Sequence, residues 1–223
     1  MATMKEPIRL VFLGQSGAGK SRLINILKGF DSQKDGVPNE GINSEDERTY
    51  GCRYLHARID YGGENYNLRI VDTPGFFQES VTEVTKNWRD MAEAVHKSGM
   101  TVNVFVIVLK ASDVIKSEEV LQSFVEFFGA IAALNSIVVF TDSEDSATER
   151  EVSFNHGKYL TRYMREGYPK LLWKNNDNES SCFKLMGFVT ETYGQKPYKA
   201  KHFSEAQMKY TKNWMMSLQK AKR

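Results

Sequence analysis

Short apolar runs alternate along this chain with stretches whose apolar residues recur at helical spacing. Residues 8–13 form the first run, which is almost wholly apolar and ends at Gly14, so they predict a strand buried on both faces. In residues 20–29 the apolar side chains fall on one helical face and Gly29 supplies a stop signal, which predicts a helix. The chain thus opens with a strand, a glycine-rich loop and a helix.

A second pattern predicts an antiparallel hairpin. Residues 54–61 alternate apolar and polar side chains, and Gly62 and Gly63 form a tight-turn pair. Residues 67–71 then run apolar into Asp72. The hairpin is therefore expected to end at the Asp-Thr-Pro-Gly sequence that begins with Asp72.

The later apolar runs predict further buried strands at residues 102–109, 136–140 and 171–173. Strands that alternate with helices predict an α/β protein with a doubly wound, mostly parallel sheet. The helical patterns lie around Met91 and at residues 120–128, 159–164, 182–192 and 205–220.

Composition and charge add few constraints. A chain of 223 residues can bury a sizeable core, and we expect one domain spanning residues 1–223. The 30 basic and 28 acidic residues leave a net charge of only +2, so we expect no nucleic-acid partner. Cys52 and Cys182 lie far apart and predict neither a disulfide framework nor a zinc site. Without a membrane-length apolar run or a signal-peptide pattern, a cytoplasmic protein is expected.

Residues 14–21 read GQSGAGKS and match the phosphate-loop pattern G-x-x-x-x-G-K-[ST]. Glycines let the backbone adopt positive φ and bring N–H groups onto phosphate oxygens at the start of the following helix. Lys20 would neutralise the β and γ phosphates during the reaction, and the Ser21 hydroxyl would complete a Mg²⁺ shell. The predicted nucleotide contacts in this segment are Gly14, Gln15, Ser16, Gly17, Ala18, Gly19, Lys20, Ser21 and Arg22.

Asp72 follows an apolar run and is expected at the carboxyl end of a strand beside that of the phosphate loop, where α/β sheets place ligand groups. It would hold Mg²⁺ through a water, in the Walker-B role, and Gly75 would offer an N–H to a γ-phosphate. Asp, Pro and Gly are also turn formers, so an ordinary turn is the alternative. The pairing with the phosphate loop favours the metal role.

The blocks GQSGAGKS, DTPGFF, VNVFVIVL, FFG and IVVFTDSED resemble, in order and spacing, the GIMAP or IAN family of septin-like (paraseptin) GTPases, relatives of the Toc translocon GTPases. The resemblance spans about residues 8–176. It implies an AIG-type, Ras-like G domain with about six strands, helices on both faces and a C-terminal helical extension at about 180–222. It also implies binding of GTP and GDP with Mg²⁺ and, as in many members, dimerisation through the nucleotide face.

Carried onto this chain, the resemblance places the switch I threonine at Thr49, three residues before Cys52. Its hydroxyl would complete the Mg²⁺ shell in the triphosphate state and be released after hydrolysis. Thr49 falls in residues 29–50, an aperiodic stretch that is too long for a passive connection. A solvent-facing loop threonine is the alternative.

The resemblance places guanine recognition in the sequence TDSED after the strand at 136–140. Asp145 would accept hydrogen bonds from guanine N1–H and N2–H₂, a pattern that adenine cannot satisfy. The usual lysine that packs on the base is replaced by Ser143. The sequence evidence for a guanine base is therefore weaker than the evidence for a triphosphate. The predicted contacts on the base side are Thr141, Asp142, Asp145 and one of the adjacent pair Asn175 and Asn176.

Ras-like enzymes orient the attacking water with a Gln just after the switch II glycine, but here Gly75 is followed by Phe76 and Phe77. Slow hydrolysis is therefore expected, with the missing positive charge supplied from elsewhere. In some relatives it comes from a partner subunit, which motivates a nucleotide-dependent homodimer.

Two other functions stay open from the residues alone. One is a nucleotide-regulated assembly or scaffold protein with negligible hydrolysis, and the other is an ATPase or small-molecule kinase with the same fold. The Lys-rich helix predicted at 205–220 has an apolar face that favours packing on the domain. A membrane-surface or partner-binding role for that helix is the alternative.

Overall fold

The structure is a computed structural model that describes residues 6–29, 52–75, 101–141, 169–194 and 196–199. Its strands are β1 (Ile8–Gly14), β2 (Arg53–Tyr61), β3 (Glu64–Asp72), β4 (Thr101–Val102), β5 (Val104–Lys110), β6 (Ser136–Thr141), β7 (Lys170–Leu172) and β8 (Tyr198–Lys199). Its helices are α1 (Lys20–Gly29), α2 (Val114–Phe128) and α3 (Asn178–Tyr193), with a short 3-10 helix at Ala130–Asn135.

The central sheet has six strands in the order β2-β3-β1-β5-β6-β7. Neighbouring strands are parallel except in the β2–β3 hairpin, whose two-residue turn has positive φ at Gly62 (62°) and Gly63 (77°). Such a turn matches the twist of the flanking strands and needs glycine or a similar residue at both positions. The predicted hairpin and the doubly wound, mostly parallel sheet are confirmed.

Helices cover both faces of this sheet, and alternate side chains of β1 therefore pack in two different cores. Val11 and Leu13 pack in the core that contains the aromatic residues of α2. Leu10 and Phe12 pack in the other core, together with the apolar stripes of α1 and α3. Burial on both faces explains why the central strands are almost continuously apolar rather than alternating.

The apolar run at 102–109 is divided, whereas one strand was expected from the sequence. The division falls at Asn103, whose side-chain oxygen accepts a hydrogen bond from the Arg9 backbone N–H at 2.9 Å. The preceding residues form β4, which pairs with β8 in a separate two-stranded sheet, and the following residues form β5. A side-chain amide that takes over a ladder hydrogen bond thus separates two strands that periodicity cannot tell apart.

The other predicted elements agree with the structure where it describes them. The helices expected at 20–29, 120–128 and 182–192 and the strands at 136–140 and 171–173 are all present. Met91 and the helices expected at 159–164 and 205–220 lie outside the described residues. Within the described ranges, no helix combines the length and apolar character needed to cross a membrane.

Candidate nucleotide-binding site

The phosphate loop connects β1 to α1 through three glycines with positive φ: Gly14 (148°), Gly17 (70°) and Gly19 (85°). L-residues with side chains rarely adopt such angles. The loop closes with a hydrogen bond from the Ala18 N–H to the Gln15 carbonyl at 3.2 Å, and α1 begins immediately afterwards at Lys20. Its N–H groups therefore lie at the positive end of a helix, which is the arrangement that binds phosphate.

Two glycines allow backbone segments to approach more closely than a side chain permits. A Cβ on Gly14 would lie 2.0 Å from the Val108 carbonyl oxygen of β5. A Cβ on Gly75 would lie 2.4 Å from Ser16 Cα. The segment that follows β3 thus rests directly on the phosphate loop, and the contact of Gly75 with a γ-phosphate stays a prediction.

Lys20 lies inside the loop and is only 6% exposed. Its Nζ donates hydrogen bonds to the carbonyl oxygens of Gly14 at 3.2 Å and Gln15 at 3.0 Å. Burial lowers the pKa of Lys20 from 10.5 to about 8, and the carboxylate of Asp72 partly opposes that shift. A phosphate arriving at this position would favour the charged ammonium, since opposite charges stabilise each other in a desolvated site.

Ser21 and Asp72 are brought together at the start of α1 and the end of β3. The Ser21 hydroxyl donates to Asp72 Oδ2 at 2.8 Å, and Asp72 is fully buried. Its other oxygen, Oδ1, is buried and has no hydrogen-bond partner within the described part of the chain. A hydroxyl and a carboxylate with an unsatisfied oxygen suit the hard, oxygen-preferring Mg²⁺ ion.

The described residues contain no cluster of three His, Cys, Asp or Glu side chains that could hold a metal by themselves. A Mg²⁺ ion here would therefore rest on Ser21, Asp72 and oxygens of the nucleotide. Thr49, the third predicted metal ligand, lies outside the described residues.

Thr141 joins the end of β6 to the phosphate loop. Its hydroxyl donates to the Ala18 carbonyl at 3.0 Å and to the Leu109 carbonyl at 3.2 Å, and the residue is 7% exposed. The strand that leads to the predicted base motif is thus fastened to the loop that would hold the phosphates. Asp142 and Asp145 lie outside the described residues.

The adjacent candidates Asn175 and Asn176 lie in the turn between β7 and α3, at the same edge of the sheet. Asn175 is half-buried and Asn176 is exposed. Asp177 caps α3 by accepting from the Ser180 N–H at 3.1 Å, which fixes the end of this turn. The contact of one of these two asparagines with a guanine base stays a prediction.

Among the remaining residues predicted from the loop pattern, Gln15 is buried, whereas Ser16 and Arg22 are exposed. Gln15 keeps a buried side-chain oxygen without a hydrogen-bond partner in the described residues. Solvent, and hence a ligand, can therefore reach the side chains of Ser16 and Arg22 but not that of Gln15.

Arg53 is a residue of this site that the sequence analysis missed. Its Nη2 lies 2.8 Å from Asp72 Oδ2, while about half of its side chain (49%) stays exposed. The hairpin sequence contained the signal for this contact. Pairing residues outward from a two-residue turn at Gly62 and Gly63 puts Arg53 opposite Asp72, and the observed strand register shows this pair. A cation here balances part of the charge of the buried carboxylate.

Known proteins resemble this chain in sequence pattern and in fold. A model of the AIG1 family matches residues 8–213. Among solved structures, a dimerization-deficient mutant of Toc33 from Arabidopsis thaliana is similar, with a TM-score of 0.57 at 14% identity over 86% of this chain and 87% of that chain. At this identity the likeness shows the fold alone, an α/β Ras-like G domain. No curated protein sequence matches the chain. Because the family model spans most of its length, the chain belongs to the AIG1 family of G domains.

Proposed function

We propose that this protein is a GTP-binding molecular switch that binds GTP and GDP with Mg²⁺ and hydrolyses GTP slowly. One observation carries the proposal. Lys20 is buried inside the loop, next to a hydrogen-bonded pair formed by Ser21 at the start of α1 and Asp72 at the end of β3. A buried ammonium beside backbone N–H groups suits a polyphosphate, and the pair suits its metal ion.

In this proposal Mg²⁺ would be held by Ser21, by Asp72 through a water, and by Thr49 in the triphosphate state. When bound, the ion would neutralise charge on the β and γ phosphates. Oδ1 of Asp72 is buried and has no hydrogen-bond partner among the residues that the structure describes, which supports this assignment because an unsatisfied buried carboxylate oxygen favours a cation.

Guanine selectivity is proposed from Asp145, together with Thr141, Asp142 and one of Asn175 and Asn176. Support comes from Thr141, whose hydrogen bond to the Ala18 carbonyl joins the start of this motif to the phosphate loop. A site that hydrogen-bonds the edge of the base discriminates by at least about a hundredfold against a base that lacks the matching pattern.

Competition binding tests both parts of this assignment. Fluorescent GDP should be displaced by GTP and GDP at concentrations at least about a hundredfold lower than by ATP, and removing Mg²⁺ with EDTA should weaken GTP binding. Equal displacement by ATP would contradict guanine selectivity and favour the ATPase or kinase function. GTP affinity unchanged by EDTA would contradict the metal assignment alone.

Slow hydrolysis coupled to dimerisation is proposed because Phe76 occupies the place where Ras-like enzymes carry the water-orienting glutamine. We expect single-turnover GTP hydrolysis to accelerate as protein concentration rises, with light scattering detecting a dimer with a non-hydrolysable GTP analogue but not with GDP. A monomer in both states would contradict the dimer. A dimer without measurable turnover would favour the alternative function, a nucleotide-regulated scaffold protein.

A further inference from the structure

Lys110 is a second lysine beside the phosphate loop, and the nucleotide site described so far does not use it. It is the last residue of β5 and is half-buried. Its Nζ lies 3.8 Å from the position that a Cβ on Gly17 would take. The ammonium group is therefore next to the part of the loop whose backbone is exposed.

The register of the sheet explains this position. Gly14, where the loop starts, pairs with Val108 of β5, and Lys110 lies two residues further along β5. Residues two apart in a strand share a face, and Val108 belongs to the core that contains α1. Lys110 thus lies on the α1 face of the sheet, at the level of the loop.

Hydrogen bonds to two neighbouring segments hold the backbone of Lys110 firmly. Its carbonyl accepts hydrogen bonds from the Asp113 N–H and the Ser117 hydroxyl, both at 3.2 Å, and it pairs with Thr141 of β6. The nearby carboxylate of Asp113 is engaged by Lys116 at 3.3 Å. Within the described residues, no carboxylate forms an ion pair with Lys110.

The strand order shows which part of a nucleotide Lys110 would face. Gly75, which follows β3, approaches the loop at Ser16, and this is the side proposed for the γ-phosphate. Lys110 ends β5, on the opposite side of β1 from β3, and pairs with Thr141 at the end of β6. Lys110 therefore lies on the side of the loop away from the proposed γ-phosphate position, where GDP and GTP are identical.

We propose that Lys110 is a nucleotide-binding residue whose ammonium donates to the guanine nucleotide beside Gly17 of the phosphate loop. Such a charge has a precedent in the sequence pattern, because residue 143 is Ser where the common GTPase motif has a lysine. This inference rests on the proposed function.

The test compares Lys110→Gln and Lys110→Arg with Lys28→Gln, which alters an exposed lysine in the last turn of α1. Lys110→Gln should weaken the binding of fluorescent GDP and GTP by similar factors, about tenfold, because one charge-assisted hydrogen bond is lost. Its affinity should also fall less steeply with salt than that of the unaltered protein. Lys110→Arg should retain most of the affinity, and Lys28→Gln should equal the unaltered protein.

A Lys110→Gln variant that binds both nucleotides as tightly as the Lys28→Gln variant overturns the proposal. A loss confined to GTP also overturns it, because that result places the ammonium at the γ-phosphate. If Lys110→Gln unfolds, Lys110→Met keeps the apolar stem and carries the same comparison. If the unaltered protein binds no guanine nucleotide, the proposed function fails first and this inference fails with it, whereas a failure of Lys110 alone leaves that function intact.

Discussion

Lys20→Ala is expected to abolish guanine-nucleotide binding. Lys20 is buried inside the loop, and its ammonium is held by two loop carbonyls at 3.0 and 3.2 Å. Each charge-assisted hydrogen bond is worth about 1.5–3 kcal/mol, and an ammonium between two phosphates makes more than one. We therefore expect affinity for GDP and GTP to fall by at least about a hundredfold, measured by titration of a fluorescent nucleotide.

Lys28→Ala provides the matched control for this prediction, since Lys28 is an exposed lysine on the same helix, α1. It should leave affinity unchanged. Thermal unfolding without nucleotide should show that both variants are folded, because the buried carboxylate of Asp72 keeps Arg53 and Ser21 as partners when Lys20 is removed. A folded Lys20→Ala protein that binds GDP with unaltered affinity would mean that residues 14–21 do not bind the phosphates.

Gly14→Ala is expected to have the largest effect on stability. The added methyl group would lie 2.0 Å from the Val108 carbonyl oxygen, and the backbone φ of 148° is itself unfavourable for alanine. The Cβ is attached directly to the backbone and the Val108 oxygen is a backbone atom, so neither atom can rotate away. The strands β1 and β5 would therefore have to separate in the centre of the sheet. We expect a loss of more than about 4 kcal/mol in the free energy of unfolding, or failure to fold.

Gly63→Ala shows how much of the loss in the free energy of unfolding comes from the backbone conformation alone, without a steric clash. Gly63 also has positive φ, at 77°, but an added Cβ there meets no atom within 4 Å. Its expected cost is about 1–2 kcal/mol, from the left-handed backbone alone. Urea denaturation of the two variants measures the difference, and a Gly14→Ala protein no less stable than Gly63→Ala would contradict the close approach of β1 to β5.

The phosphate loop and the hairpin could be predicted from the sequence because both are local. Positive φ at Gly14, Gly17 and Gly19 follows from the residue type and the spacing, and a helix that starts at Lys20 follows from the apolar stripe behind it. The place of Asp72 at the end of a strand follows from the apolar run before it. None of these inferences needs to know which strands are neighbours.

The strand neighbours and the register were decided by the tertiary structure. Thr141 of β6 reaches the Ala18 carbonyl of the phosphate loop because crossover connections place β6 beside β5, one strand away from β1. Lys110 is an ordinary strand-end lysine in the sequence, and only its proximity to Gly17 gives it a role. Contacts between residues far apart in the chain depend on packing of the whole sheet, which hydrophobic periodicity does not encode. The sequence by itself therefore determined the phosphate loop, the elements that flank it and the class of ligand, whereas only the folded sheet decided which side chains surround that loop.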